Sequence, residues 1–484
     1  MVPQQIEQVE EALWELPISY KDRMQVPVWI FATSELLEAM DEGVYQQAAN
    51  VAALPGIVGR SICMPDGHWG YGFPIGGTAA FDPQTGIISP GGIGFDINCG
   101  MRLMRTSLTY DEVKPRLEEL VDRLFAAIPA GVGGSGMLNI SQDEFRELTV
   151  RGTRWARDHG FATDDDLDRT EEHGCMSGAD PQKVSQKAIQ RGYKQVGTLG
   201  SGNHYLEVQV ARQDGVANPD LARAMGIDIP DQVVLMLHTG SRGFGHQIAT
   251  DYLQKFVSVM NSKYSLDIRD RDLACAPFQS AEGQDYFAAM KCAVNMAFCN
   301  RQLIMHRVRE VFSDVFGRDP SQLGMQQIYD VTHNTAKLEQ HQVDGSRMEL
   351  LVHRKGATRA FAPGMDDLPQ VYKQTGQPVI IGGSMETGSY LLAGRAEGGR
   401  SFFTTAHGSG RVMGRRAAKR CFHGKDLQRD MLQRGIYVRA VSSSGLAEEA
   451  GGAYKSIDAV VEAAERAGLS TPVVRLVPIG NIKG

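Results

Sequence analysis

Six residues in this chain could, by type and setting, do chemistry together: Asp96, Cys99, His204, His238, His333 and His407. Asp96 and Cys99 stand three apart in Gly91–Gly100 (GGIGFDINCG), where Gly91, Gly92 and Gly94 let the backbone turn tightly or pass close to a ligand. A carboxylate and a thiolate are both metal donors, and a thiolate can bridge two ions. His204 stands where the glycine loop of Gln195–Val210 becomes an alternating strand. His238 ends the apolar run Val233–Leu237, and His333 follows a short apolar segment in Gln327–Lys337. One carboxylate, one thiolate and three imidazoles exceed what one tetrahedral ion takes. Two ions sharing Cys99 would use all five donors and keep positions open, an arrangement suited to phosphoryl transfer. Donor softness alone favours Zn²⁺ over Mg²⁺. The same residues are also compatible with a glycine turn, a buried cysteine and several unrelated buried histidines.

His407 belongs to a second stretch, Ser401–Arg420 (SFFTTAHGSGRVMGRRAAKR), which reads as strand, glycine loop and helix. Free amides of Gly408, Ser409 and Gly410 suit an anion, and Arg411, Arg415, Arg416, Lys419 and Arg420 add positive charge. The pattern is neither GxxxxGK[ST] nor GxGxxG with an acidic partner. A histidine at the mouth of such a loop is either a nucleophile on phosphorus or a hydrogen-bonding contact. Asp66 and His68, in the Gly- and aromatic-rich Ser61–Ala80, read equally as site residues or as a turn aspartate and a satisfied histidine.

The elements that must position these groups follow from periodicity. Gln5–Leu16 and Leu36–Ala53 read as helices, and Ser61–Ala80 as strand, loop, strand. Met101–Leu108 reads as a strand, followed by the capping box Thr109-x-x-Glu112 and a helix burying Val113, Leu117, Leu120, Val121, Leu124 and Ile128. Gly131–Gly136 reads as a flexible or anion-facing loop. Residues 140–185 are expected to form surface helices whose acidic run, Asp164–Asp166 with Glu171 and Glu172, is a solvated face. The longest helical pattern spans 282–316, with Cys292 and Cys299 in its core and His306 structural. His353–Arg359 (HRKGATR) reads as a solvated basic loop or a phosphate contact, and Ile380–Tyr390 as a strand entering a Gly/Ser loop with Ser384 and Ser389. The apolar tail Val473–Gly484 suggests that its end, with Lys483, is pinned into the fold. Candidate ligands run from Asp96 to His407, so their convergence would need most of the chain to act as one unit.

Composition narrows the class. The chain has 484 residues, 42% hydrophobic and 22% charged, the balance of a globular protein rather than a disordered or fibrous one. The polar, acidic start shows no signal peptide, and no apolar run spans a membrane, which together point to a cytoplasmic protein. The 7 cysteines include no CxxC, which argues against a disulfide framework and a zinc ribbon. The net charge of −7 means that nucleic-acid binding would have to rest on local basic patches.

The blocks MPDGHWGYGFPIGG, GGIGFDINCGMR, GTLGSGNHYLE, LHTGSRGFG, THNTAK, VHRKGATRAFAPG, GSMETGSY, AHGSGR and RLVPIGNIKG, in this order from about Ile57 to the C-terminus, resemble the RtcB family of RNA ligases. The resemblance implies an α/β (α+β) fold with two central β-sheets flanked by helices. It implies one catalytic domain over 1–484, of which 1–56 is the less defined helical or strand segment. It implies joining of an RNA 3′-phosphate or 2′,3′-cyclic phosphate to a 5′-hydroxyl, using GTP, in tRNA splicing or RNA repair. His407 would take up the guanylate and pass it to the RNA 3′-phosphate. Asp96, Cys99, His204, His238 and His333 would hold two Mn²⁺ ions bridged by Cys99, where softness alone suggests Zn²⁺. Asn203, Glu207, Asn334, Ser384, Ser389, Gly408, Ser409, Gly410, Arg411, Tyr454 and Lys483 would hold GTP or GMP. Arg242, Lys355 and Arg415 would hold RNA phosphates. RNA, GTP and an archease-type activator are the candidate partners of a monomeric enzyme. Gly67, Ser409, Gly382 and Glu386 depart from the family's usual residues, and none of them removes a proposed ligand or the nucleophile. A metal-dependent phosphodiesterase or cyclic phosphatase is the alternative enzyme, and an RNA-binding protein without turnover is the non-enzymatic one.

Overall fold

A computed structural model describes residues 2–131, 133–134 and 136–484. Two large sheets organise it. The first has seven strands in the order Glu7–Glu10, Leu13–Leu16, Val28–Phe31, Ile57–His68, Ile75–Phe81, Ser346–Lys355 and Asn334–Val343. The second has eight. Seven run in the order Gln326–Thr332, Gly100–Thr109, Gln232–Thr239, Tyr205–Val216, Ser470–Lys483, Ser389–Gly394 and Pro378–Ile381, and Tyr437–Ala440 pairs in parallel with Ser470–Lys483. Helices flank both sheets, as the family resemblance implied. No helix of the described residues is long and apolar enough to cross a membrane.

The chain crosses from one sheet to the other at His333, which separates Gln326–Thr332 from Asn334–Val343. A third, short pairing joins Ala357–Arg359 to Thr404–Ala406 and sets the strand that leads to His407. The long helix Ala281–Phe316 is capped by Ser280, whose side chain accepts from the Gly283 amide, and ends on Gly317 at φ 64, where a residue without Cβ is favoured. All its predicted stripe residues from Phe287 to Phe312 are buried. The Thr109–Glu112 capping box is present, and Val113, Leu117, Leu120, Val121, Leu124 and Ile128 are all buried against the second sheet.

Three expectations are corrected. Gln5–Leu16 is a strand hairpin, Glu7–Glu10 with Leu13–Leu16, not a helix. Leu13 and Leu16 are buried, and Trp14 Nε1 donates to the Ala32 carbonyl at 2.9 Å, so pairing along Val28–Phe31 outweighs local helix preference. Leu36–Ala53 breaks into two helices, Ser34–Glu38 and Glu42–Ala52. The acidic run is only partly solvated: Asp166 and Glu171 are buried and paired, Asp166 with Arg309 at 2.6 Å and Glu171 with Lys337 at 2.9 Å.

Candidate active site

Four neighbouring strands of the second sheet deliver metal-ligand candidates at one end. In register, Thr332 faces Gly100, Gly100 faces Thr239, and His238 faces Tyr205. His333 therefore leaves one strand where Cys99 enters the next, His238 closes the third, and His204 precedes the fourth. The same end receives the chain terminus, because Lys483 pairs with Tyr205.

The donor atoms converge. Cys99 Sγ lies 3.1 Å from His238 Nε2 and 3.3 Å from His204 Nε2. His238 and His333 face each other Nε2 to Nε2 at 3.3 Å, and Asp96 Oδ2 is 2.8 Å from His204 Nε2. These form two triads, Cys99/His238/His333 and Asp96/Cys99/His204, with the donors of each within 4.8 Å of one another and Cys99 common to both. Asp96 Oδ1 is buried without a hydrogen-bond partner. A Cβ on Gly240 would fall 2.4 Å from it, so only glycine there lets the carboxylate approach. Thiol, imidazole and carboxylate lone pairs aimed at common points fit two divalent cations of the borderline class.

Electrostatics agree. Burial holds His238 and His333 well below the usual imidazole range and lowers His204, so these rings are neutral with lone pairs free. Burial opposes ionisation of Asp96, but the neighbouring His204 and Arg242 outweigh it and hold the carboxyl low. Burial raises the Cys99 thiol, a shift that a coordinated cation reverses.

His407 stands beside this cluster, its ring centroid 4.8 Å from that of His333. Asp66 Oδ2 lies 2.6 Å from His407 Nδ1 and also accepts from the amides of His407 and Gly408 at 3.1 and 3.2 Å. Burial works against ionisation of Asp66, yet His407 and these hydrogen bonds leave its pKa below the ordinary value. An ionised Asp66 can only accept, so Nδ1 carries a proton, and in the neutral ring the lone pair is then on Nε2. Lys455 fixes the Asp66 turn by donating to the carbonyls of Gly67 at 2.6 Å and Pro65 at 3.3 Å.

A cavity of about 480 Å³ opens over both groups. Asp96, Cys99, His238, His333 and His407 line it, as do Asn203, Asn334, Ser384, Gly408, Ser409, Gly410, Arg411, Tyr454, Lys483, Lys355 and Arg415. His204 faces a second cavity of about 780 Å³, shared with Asp96, Asn203, Arg191, Arg242, Arg415 and Lys419. Not every expected contact reaches the first cavity. Glu207 and Ser389 are buried behind its wall, where Gln209 Nε2 donates to Glu207 at 2.6 Å and to Ser389 at 3.3 Å, and Asn481 also donates to Glu207. Burial pushes Glu207 up and Lys483 down, each toward its neutral form, against the attraction between them. The amide of Asn334 braces the metal loop, donating to the Asp96 carbonyl at 3.0 Å and accepting from the Gly356 amide at 2.7 Å.

His353–Arg359 is not a solvated loop. It lies in two strands and is buried, with Arg354 paired to Glu339 at 2.6 Å and Arg359 to Glu171 at 3.1 Å. Lys355 donates to the carbonyls of Tyr71, Phe73 and Gly91, the last two at 3.2 Å, and burial brings it down to about 7. Arg242 Nη1 lies 2.8 Å from His204 Nδ1. Two residues of the site carried little or no sequence signal. Asp66 looked equally like a turn residue. Glu449 gathers Arg411 at 3.3 Å, Tyr454 and Lys483, yet sits in an acidic stretch without a motif.

Comparison with known proteins agrees with this geometry. Residues 47–484 match the family model described as tRNA-splicing ligase RtcB. The chain is 52% identical to the tRNA-splicing ligase RtcB of Thermococcus kodakarensis, with 100% of this chain and 99% of that protein covered. It is 50% identical to the Archaeoglobus fulgidus protein of the same name and 45% identical to that of Nanoarchaeum equitans, each with 99% of both chains covered. A family model spanning most of the chain and full-length relatives at this identity leave one assignment: the chain belongs to the RtcB family of tRNA-splicing ligases.

Proposed function

We propose that this enzyme joins RNA ends, a 3′-phosphate or 2′,3′-cyclic phosphate to a 5′-hydroxyl, with GTP as co-substrate and two Mn²⁺ ions, on broken tRNA or other RNA. We infer one catalytic unit over 1–484, cytoplasmic and monomeric, with an archease-type activator as candidate partner. One juxtaposition carries the reading: a histidine with a free Nε2, oriented by a carboxylate, beside two metal triads that share a thiolate.

In this reading His407 Nε2 attacks the α-phosphorus of GTP. A phosphorus–nitrogen bond forms, the bond to the bridging oxygen breaks, and pyrophosphate leaves. Asp66 holds the Nδ1 proton and stabilises the positive charge that develops on the ring. An oxygen of the RNA 3′-phosphate, freed by hydrolysis where it starts cyclic, then takes the guanylate and releases His407. The 5′-hydroxyl attacks that activated phosphorus, a phosphodiester forms and GMP departs. Divalent cations in the two triads would supply charge neutralisation at the reacting phosphates and a lowered pKa for the attacking hydroxyl. Asn203, Ser384, Tyr454 and Lys483 hold the guanylate, with Glu207 and Ser389 supporting from behind. Gly408–Gly410 and Arg411 face its phosphates, and Asn334 positions the Asp96 loop. Arg242, Arg415 and Lys355 are the cations assigned to RNA phosphates.

Incubation with α-labelled GTP and Mn²⁺, followed by denaturing separation, tests this. Acid-labile label should stay on wild type and be absent from His407→Ala. Wild type loaded with Mn²⁺ but carrying no label would remove the guanylate mechanism in favour of a phosphodiesterase.

A further inference from the structure

Trp69 is the most exposed large hydrophobic side chain among the described residues, at 63%, and it lines the cavity that contains His407. It is also held in place. The six-membered ring rests on Gly43, where a Cβ would fall 1.8 Å from Cζ3. The next residue is clamped by a single side-chain amide: Gln47 Nε2 donates to the Gly70 carbonyl at 2.7 Å, and the Gly70 amide donates to Gln47 Oε1 at 3.1 Å. The same cavity is lined by two more aromatic rings, Tyr71 and Phe95, at 5.2 Å between centroids. Three residues before it comes Asp66, the carboxylate that orients His407.

A rigid, solvent-facing indole at the entrance to a phosphoryl-transfer site offers a π-face that any base can stack on, at little entropic cost to the protein. Resting on the ligase reading above, we propose that Trp69 stacks the base of the RNA 3′-terminal nucleotide and so presents its phosphate to the guanylate on His407. The occupant must reach His407 with its phosphate while its base remains at the entrance, which a 3′-terminal nucleotide does.

The test is a cycle between protein and RNA. Wild type, Trp69→Phe and Trp69→Ala are each given 3′-phosphate RNA with a normal or an abasic 3′-terminal nucleotide. Labelling of His407 by GTP measures the active fraction of every preparation. Trp69→Ala should raise the KM for normal RNA about tenfold, Trp69→Phe much less, and the abasic RNA should cost wild type about tenfold but Trp69→Ala little more. Equal penalties for the abasic end in wild type and Trp69→Ala overturn the stacking assignment. So does a coupling that follows the base at the 5′-hydroxyl end instead. An unchanged KM for Trp69→Ala would leave the indole to a protein partner and also overturn it. Wild type that takes no label fails at the ligase reading itself, a result distinct from labelled protein without coupling.

Discussion

Two polar clusters lie back to back on the Asp96–Cys99 turn, and they differ in how far they satisfy themselves. Behind it, Arg301 uses all five of its N–H donors. Two go to the carbonyls of Asn98 and Thr239 at 2.9 Å, one to Asn98 Oδ1 at 3.0 Å, and the rest to Asp330, whose other neighbour is Arg102 at 2.6 Å. All three charged groups are fully buried, and Arg102 Nη2 alone among their polar atoms is left without a partner. In front of the turn, a thiol, a carboxylate and three neutral imidazoles point lone pairs at one another, with Asp96 Oδ1 unpartnered. The first cluster ties Cys99 to His238 through the backbone beside each. The second is complete only around cations. Proximity of charged groups alone would not separate a scaffold from a site; counting donors against acceptors does.

The comparison breaks most sharply at Cys99, which both triads share. Cys99→Ala should lower single-turnover ligation by about 10³-fold or more, the equivalent of roughly 4 kcal/mol on the barrier. Metal bound per chain should fall at the same free Mn²⁺. The metal-free fold should lose only about 1 kcal/mol, because little buried volume goes. Loss of the fold instead, read from urea unfolding of the metal-free protein, would make the front cluster scaffold too. The rear cluster should behave the opposite way. Asp330→Asn keeps the shape but leaves two buried guanidinium groups without their anion, and should cost about 3–5 kcal/mol in unfolding free energy whether or not metal is present. A mutant of ordinary stability that has lost metal would show that Arg301 and Asp330 serve the ions directly.

The front cluster was far more legible in the sequence than the rear one. Asp96, Cys99, His204, His238, His333 and His407 stand in glycine-rich turns or at strand ends, settings that suit ligands and buried structural residues alike, and the family motifs around them favoured ligands. What the sequence could not show was that four strands end in register, since Cys99 meets His238 across 139 positions and His333 leaves the sheet where Cys99 enters it. The rear cluster hides because its partners lie inside regular elements: Arg301 in a helix whose pattern is apolar, Asp330 in a short strand. Arg354 and Arg359 misled for the converse reason. Charge density in HRKGATR suggests solvent, whereas Glu339 and Glu171, neutralising them from distant segments, put them in the core. Gln5–Leu16 failed because edge pairing in a sheet leaves little trace in a twelve-residue window.

The smallest expected effect sharpens the account of the rear cluster at its rim. Asp166 binds Arg309 at 2.6 Å and takes a hydrogen bond from Gln302 at 3.1 Å, whose carbonyl in turn accepts from Arg102. Burial opposes ionisation of Asp166, but Arg309 wins and holds it at about 2, against 3.8 for an ordinary aspartate. A carboxyl depressed by folding contributes stability above its unfolded pKa, and that contribution fades as pH falls through the folded value. Asp166 should therefore add about 2 kcal/mol at neutral pH that disappears between roughly pH 4 and 2. Urea midpoints collected across that window should fall less steeply for Asp166→Asn than for wild type, and the two should converge at the acid end. Parallel acid limbs would mean that the Arg309 pairing exists equally in the unfolded chain, and the self-sufficient cluster would then stop at Arg301, Asp330 and Arg102.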